Sequence, residues 1–197
     1  QRLSKSYGDN TVLNDMYLSL PKGEVIGLFG PNGCGKTTLM KILTGLIHDY
    51  KGSVLINGNA PGDKTKAVTA YLPEQTFIHD WMRNIDAIDY FNDFFKDFDK
   101  NKALEMIKRF SLPEKQKCKT MSKGMQEKLL LSLTMSRNAD LYILDEPMGG
   151  VDPATRDSIL KFIMENYTEK STMLISTHLI NDLQSVFTHA LFIGGGK

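Results

Sequence analysis

Residues Gly30-Pro31-Asn32-Gly33-Cys34-Gly35-Lys36-Thr37 constrain this chain more than any other stretch. They spell G-x-x-x-x-G-K-[ST], and their setting sharpens the pattern. The apolar run Glu24 to Phe29 fits a buried strand and ends directly before the loop. Leu39, Ile42, Leu43 and Leu46 recur at helical spacing after it, so a helix is expected to follow Gly35. A glycine-rich turn between such elements lets successive backbone N–H groups point inward as a nest for phosphate oxygens. The helix N-terminus adds partial positive charge at the same place. Lys36 is placed to neutralise β- and γ-phosphates, and the Thr37 hydroxyl is a hard-oxygen ligand for Mg²⁺. A ligand-free strand–helix turn is the bland alternative, and the strand–loop–helix context speaks against it. Cys34 reads as a small loop residue and Cys118 as structural.

The rest of the chain supplies the sheet. Leu3 to Leu20 alternates as antiparallel strands with one buried face, and Ser53 to Ile56 and Val68 to Leu72 look like further strands. From Pro73 to Asn138 helical spacing dominates, in stretches around Ile85–Phe98, Leu104–Phe110 and Leu129–Met135. Alternation then returns: strand Leu141–Leu144, helix Pro153–Tyr167, strand Thr172–Ile175, helix Leu179–Val186, strand Ala190–Ile193. Strands alternating with helices imply an α/β fold, a parallel sheet covered on both faces. The expected architecture is a P-loop NTPase core with an N-terminal antiparallel β subdomain and an inserted α-helical subdomain. The core lobe is expected over 1–73 and 139–197, and the helical subdomain over 74–138.

Leu141-Tyr142-Ile143-Leu144-Asp145-Glu146 is an apolar strand that ends in two carboxylates. A strand buried on both faces has little reason to end so unless they face a site at its C-terminal edge, where open α/β sheets bind ligands. Asp145 would hold Mg²⁺ and its water, and Glu146 would orient and polarise an attacking water.

Composition narrows the partners. With 24 Lys+Arg against 23 Asp+Glu, the net charge of +1 argues against a polybasic nucleic-acid or membrane surface. The longest apolar runs, near Val25–Gly30 and Leu129–Leu133, fall far short of the roughly 18 residues a spanning helix needs. Two cysteines form neither a disulfide framework nor a zinc site, so a reducing compartment is expected. A start at Gln1 without Met, and an end at Gly194-Gly195-Gly196-Lys197, suggest a piece of a longer protein with a C-terminal continuation.

Thr120-Met121-Ser122-Lys123-Gly124-Met125-Gln126-Glu127-Lys128 lies ahead of the Asp145 strand, with Ser122 preceding Asp145 by 23 residues. Ser122 alone would read as a helix cap. Together with the loop and the acidic strand, the segment resembles the L-S-G-G-Q signature of ABC transporter nucleotide-binding subunits, and the resemblance covers the chain in order. It implies that Tyr7 stacks on adenine, where a buried strand tyrosine is the plain alternative. It implies that Gly30 to Thr38, with Pro31, Asn32, Gly33, Cys34, Gly35, Lys36, Thr37 and Thr38, surround the phosphates of ATP. Ser122 and Gly124 would contact the γ-phosphate held by the opposite subunit, with Asp145 and Glu146 as metal ligand and catalytic glutamate. Asp152, before Pro153, fits the D-loop and equally a helix N-cap, and His178 fits the switch histidine.

Three departures stand out. The family's Q-loop glutamine aligns with Glu74, so the Mg²⁺ contact falls to Glu74 or its neighbour Gln75. Lys123 replaces the first signature glycine and Met125 the glutamine. These variants resemble the branch that exports drugs, antibiotics or ions through separate permease subunits. The resemblance implies an ATPase that dimerises head-to-tail, as homodimer or heterodimer, around two ATP·Mg. It would drive an integral membrane permease from the cytoplasmic, inner face of the cell membrane, with no nucleic-acid partner. The aromatic segment Phe77 to Phe98 would be mostly subdomain core, with residues around Phe77 to Met82 available for the permease. The competing expectation is a non-transport ABC ATPase acting on nucleic acid or the ribosome.

Overall fold

A computed structural model describes residues 1–74, 77–149, 151–178 and 186–196. Its centre is a five-stranded parallel sheet. The strands are β3 (Val25–Phe29), β4 (Thr69–Leu72), β5 (Leu141–Asp145), β6 (Thr172–Ser176) and β7 (His189–Phe192), in the order β4-β5-β6-β3-β7. β3, β5 and β6 are buried along their whole length. That is why they read as continuous apolar runs rather than alternating ones.

Two clusters of buried side chains cover the two faces. On one face Leu141, Ile143, Leu174, Ile26 and Leu28 pack with α1 (Lys36–Leu43) and an N-terminal hairpin. On the other, Tyr142, Leu144, Met173 and Ile175 pack with α3 (Asn84–Phe94), α4 (Lys100–Arg109), α5 (Lys123–Met135) and α6 (Pro153–Asn166). The odd–even split along β5 follows from side chains pointing alternately to opposite faces of a strand. The helices α3 to α5 all lie between β4 and β5 in the chain and share one continuous apolar cluster with the sheet. Arg137, buried after α5, ties them to it. Its guanidinium donates to Asp97 and to the carbonyls of Thr69 and Ala67, and its Cζ lies 4.0 Å from the Phe95 ring centroid.

The hairpin pairs β1 (Leu3–Tyr7) with β2 (Asn10–Met16). A register shift opposite Asp15, whose φ is 49°, lets both Leu13 and Met16 reach the core. The predicted strand at Ser53–Ile56 is absent among the described residues. Ile56 makes only an isolated bridge to Asn59, and Val54 and Leu55 lie outside any ladder. A four-residue helix, α2 (Asp63–Lys66), follows instead, too short to register as periodicity. The final strand starts one residue earlier than predicted, and the helix predicted at Leu179–Val186 lies almost wholly outside the described residues.

Candidate functional site

The strand order decides what meets what. β5, β6 and β3 are neighbours, so their C-terminal ends bring together the acidic strand, the strand before His178 and the glycine-rich loop. The loop leaves β3 and turns into α1 through backbone conformations open to glycine. Gly30 has φ 155° and Gly35 φ 107°. A Cβ on Gly35 would sit 2.8 Å from Leu13 and 3.0 Å from Val12, and one on Gly30 would strike the Ile193 carbonyl. The hairpin and the last strand therefore press on the loop from outside. Lys36 is buried, and its ammonium donates to the carbonyls of Gly30 at 2.8 Å and Pro31 at 3.2 Å. Its stem thus crosses the loop mouth, where a phosphate chain would compete for the charge.

At the end of β5, Asp145 is 1 % exposed. One carboxylate oxygen accepts a 2.6 Å bond from the Ser176 hydroxyl. The other is buried without a partner among the described residues. A buried carboxylate oxygen with no donor needs a counter-charge, and a hard divalent cation would satisfy it. Glu146 follows in the left-handed region, with φ 49°. A non-glycine residue there stores strain of order 1 kcal/mol, a cost seen where geometry serves a site. Its N–H donates to the Ser176 carbonyl at 3.2 Å and the Ser176 hydroxyl at 2.9 Å, which holds the turn. The side chain then meets His178, with Nδ1 2.9 Å from Oε2. Glu146 is largely enclosed while the imidazole is 58 % exposed, so the pair is open to solvent from the histidine side.

These groups line one open cleft of about 1080 Å³. Lys36, Thr37 and Thr38 line it from the phosphate loop and α1, Asp145, Glu146 and His178 from the ends of β5 and β6, Glu74 from the segment after β4, and Glu127 from α5. Two groups feel this confinement. Burial, with Asp145 and Glu74 nearby, pushes the Tyr71 phenol well above its ordinary range, and its hydroxyl has no partner among the described residues. Burial also raises the Glu127 carboxyl to about 7, and Lys123 offsets this only in part from 3.9 Å.

Other predicted residues stand apart from the cleft lining. Tyr7 ends β1 half-exposed, and Ser122 and Asp152 act as helix N-caps. Ser122 Oγ accepts from the Met125 N–H at 3.3 Å, and Asp152 accepts from Thr155 N–H at 3.0 Å and Thr155 Oγ1 at 2.7 Å. Those Thr155 bonds hold the Asp152 carboxyl below its ordinary value. A Cβ on Gly124 would contact Val151 at 3.4 Å, so the start of α5 abuts the segment carrying Asp152. Gln75 and Gly150 lie outside the described residues. Ser176 and Glu127 carry no motif of their own, and the sequence marked Ser176 only as a neighbour of His178.

Known proteins resemble this chain in sequence and in fold. The family pattern described as ABC transporter matches residues 13–149. The lantibiotic transport ATP-binding protein SrtF of Streptococcus pyogenes is 31% identical over all of this chain and 86% of its own. The SkfA peptide export ATP-binding protein SkfE of Bacillus subtilis is 30% identical, over 100% of this chain and 85% of its own. A solved ATP-binding subunit of an ABC transporter superposes with a TM-score of 0.89 at 24% identity, covering 100% of this chain and 85% of the other. That last likeness speaks for the fold alone.

Proposed function

Because this chain belongs to the ABC transporter family, we propose that its ATP hydrolysis drives export of a lantibiotic-, peptide- or antibiotic-like compound by a separate membrane permease. The chain is the ATP-binding, ATP-hydrolysing part of such a system. No described helix is long and apolar enough to cross a membrane, and this reading assigns the translocation path to the permease. The placement that goes with this reading is the cytoplasmic, inner face of the membrane. The reading includes no nucleic-acid partner, and the two relatives named above are transport proteins.

One observation carries the mechanism: Asp145, Ser176, Glu146 and His178 form a continuous hydrogen-bonded chain beside the phosphate loop. ATP lies with its phosphates over Gly30 to Thr38 and its adenine toward Tyr7. Lys36 leaves the loop carbonyls for the β- and γ-phosphates. Thr37, Asp145 and either Glu74 or Gln75 would hold Mg²⁺. When bound, Mg²⁺ neutralises charge that develops on the phosphate oxygens. Glu146 orients the attacking water, and His178 holds the Glu146 carboxylate and reaches the γ-phosphate from the exposed side. Residues 1–73 and 139–197 act as the nucleotide-binding lobe and 74–138 as the lobe that meets the permease. Ser122, Gly124 and Asp152 complete the site across a head-to-tail dimer.

The test is Glu146→Gln. This variant is expected to retain ATP and accumulate as an ATP-dependent dimer in light scattering, with hydrolysis lowered about 10²-fold or more. Near-normal hydrolysis would overturn the role given to Glu146.

A further inference from the structure

Lys5 is a buried lysine on an edge hairpin, an uncommon place for an ammonium. It is 7 % exposed, yet among the described residues its one ion pair is to Asp49, whose side chain is 99 % exposed, at 3.0 Å. An ion pair with so exposed a partner returns little. The second contact of Lys5 is more telling. Its Nζ lies 4.7 Å from the centroid of the Tyr7 ring. The two residues are two apart on β1, where side chains share a face.

We infer that Lys5 is a positioning residue for base recognition: it covers one face of Tyr7 and presents the other face to the adenine of ATP. The inference rests on the reading of Tyr7 as the adenine seat. Tyr7 is the last residue of its strand, is half-exposed and precedes the left-handed turn at Gly8. An aromatic in that position has few neighbours to fix its ring. Lys5 supplies one, and its stem is itself held by burial. A cation on one face also draws π density toward itself. The open face becomes less electron-rich, which favours offset stacking with a purine.

The test compares affinity for ATP with affinity for inorganic tripolyphosphate, using calorimetry on the full-length protein. Tripolyphosphate engages the phosphate loop and has no base. Lys5→Met keeps an apolar stem of similar length; it is expected to weaken ATP about two- to fivefold and leave tripolyphosphate unchanged. Lys5→Arg retains the cation and is expected to restore ATP binding. Tyr7→Ala should weaken ATP at least as much as Lys5→Met, again without touching tripolyphosphate. If Tyr7→Ala leaves ATP binding intact, the adenine seat is wrong and the inference falls with it. If Tyr7→Ala weakens ATP but Lys5→Met does not, the seat stands and the role of Lys5 is overturned. Loss of both ligands in Lys5→Met, or failure of Lys5→Arg to restore ATP, assigns Lys5 to the fold and also overturns it.

Discussion

His178 Nδ1 lies 2.9 Å from Glu146 Oε2, across the gap between the loops that follow β6 and β5. The imidazole is the exposed partner and the carboxylate the enclosed one. This arrangement fits the proposed role of His178 in aiming the carboxylate. His178→Ala is expected to lower kcat roughly tenfold to a hundredfold, since a base without its orienting partner samples other rotamers. ATP affinity should change little, because the phosphate loop is untouched. Steady-state phosphate release and nucleotide titration measure the two effects separately. An unchanged kcat would remove His178 from the reaction.

Ser176 links Asp145 and Glu146, the carboxylates proposed to hold the metal and to orient water. Its hydroxyl donates to Asp145 at 2.6 Å and accepts from the Glu146 N–H at 2.9 Å, and the residue is fully buried. Ser176→Ala leaves both oxygens of Asp145 without a protein donor among the described residues. A buried group deprived of its partner costs about 1–3 kcal/mol. Urea unfolding should register that loss in the apo protein. Saturating Mg²⁺·ATP should recover part of it, because a cation on Asp145 replaces the missing donor. Equal destabilisation with and without nucleotide would separate Ser176 from the metal site.

The contrast between Asp145 and Ser176 shows what was legible in the sequence. Asp145 and Glu146 stand out because two carboxylates at the end of a buried strand need an explanation. Gly30 to Thr37 stand out because the loop combines glycines, lysine and threonine at fixed spacing between a strand and a helix. Ser176 is an ordinary polar residue in sequence, and its role comes from β5 and β6 being paired, with Asp145 opposite Ser176. Nothing local encodes that neighbour. Ser53–Ile56 failed for the converse reason: its strand-like composition found no ladder, and strand preference expresses pairing more than backbone choice. The apolar face of α3 was legible only in part from helical spacing: Ile88 and Phe91 are buried where the period puts them, whereas Phe94 is 67 % and Tyr90 52 % exposed, so the aromatic segment is not mostly core.

Glu127 gives stability an unusual pH dependence. Burial raises its carboxyl from 4.5 to about 7, and one oxygen has no partner among the described residues. A folded-state value above the unfolded one means the fold binds this proton more tightly than the unfolded chain. Its contribution is favourable below about pH 4.5 and is lost as pH rises through about 7. Glu127→Gln, a neutral isostere, should therefore be more stable than the parent above neutrality, by about 1–2 kcal/mol. The difference should vanish toward pH 4.5. Denaturant midpoints at several pH values decide it; a constant difference would show that Glu127 does not titrate in this range.

The aromatic segment before α3 divides into two kinds of residue. Ile78 and Met82 are buried, whereas Phe77 is 45 % and Trp81 64 % exposed. Trp81 stacks on His79 with ring centroids 6.1 Å apart and an interplanar angle of 10°, which presents a flat apolar face to solvent. Large exposed aromatics suit protein docking, and tryptophan is among the side chains most often dominant at interfaces. Trp81→Ala is expected to weaken association with the permease about thirtyfold, the fold-change of a 2 kcal/mol hot spot. ATP affinity should stay within error, because Trp81 does not line the nucleotide cleft. Co-purification of the permease from detergent, alongside nucleotide titration of the same variant, reads both. Parallel loss of permease and ATP binding would mean the substitution disturbs the fold. Retention of both would place the docking surface elsewhere.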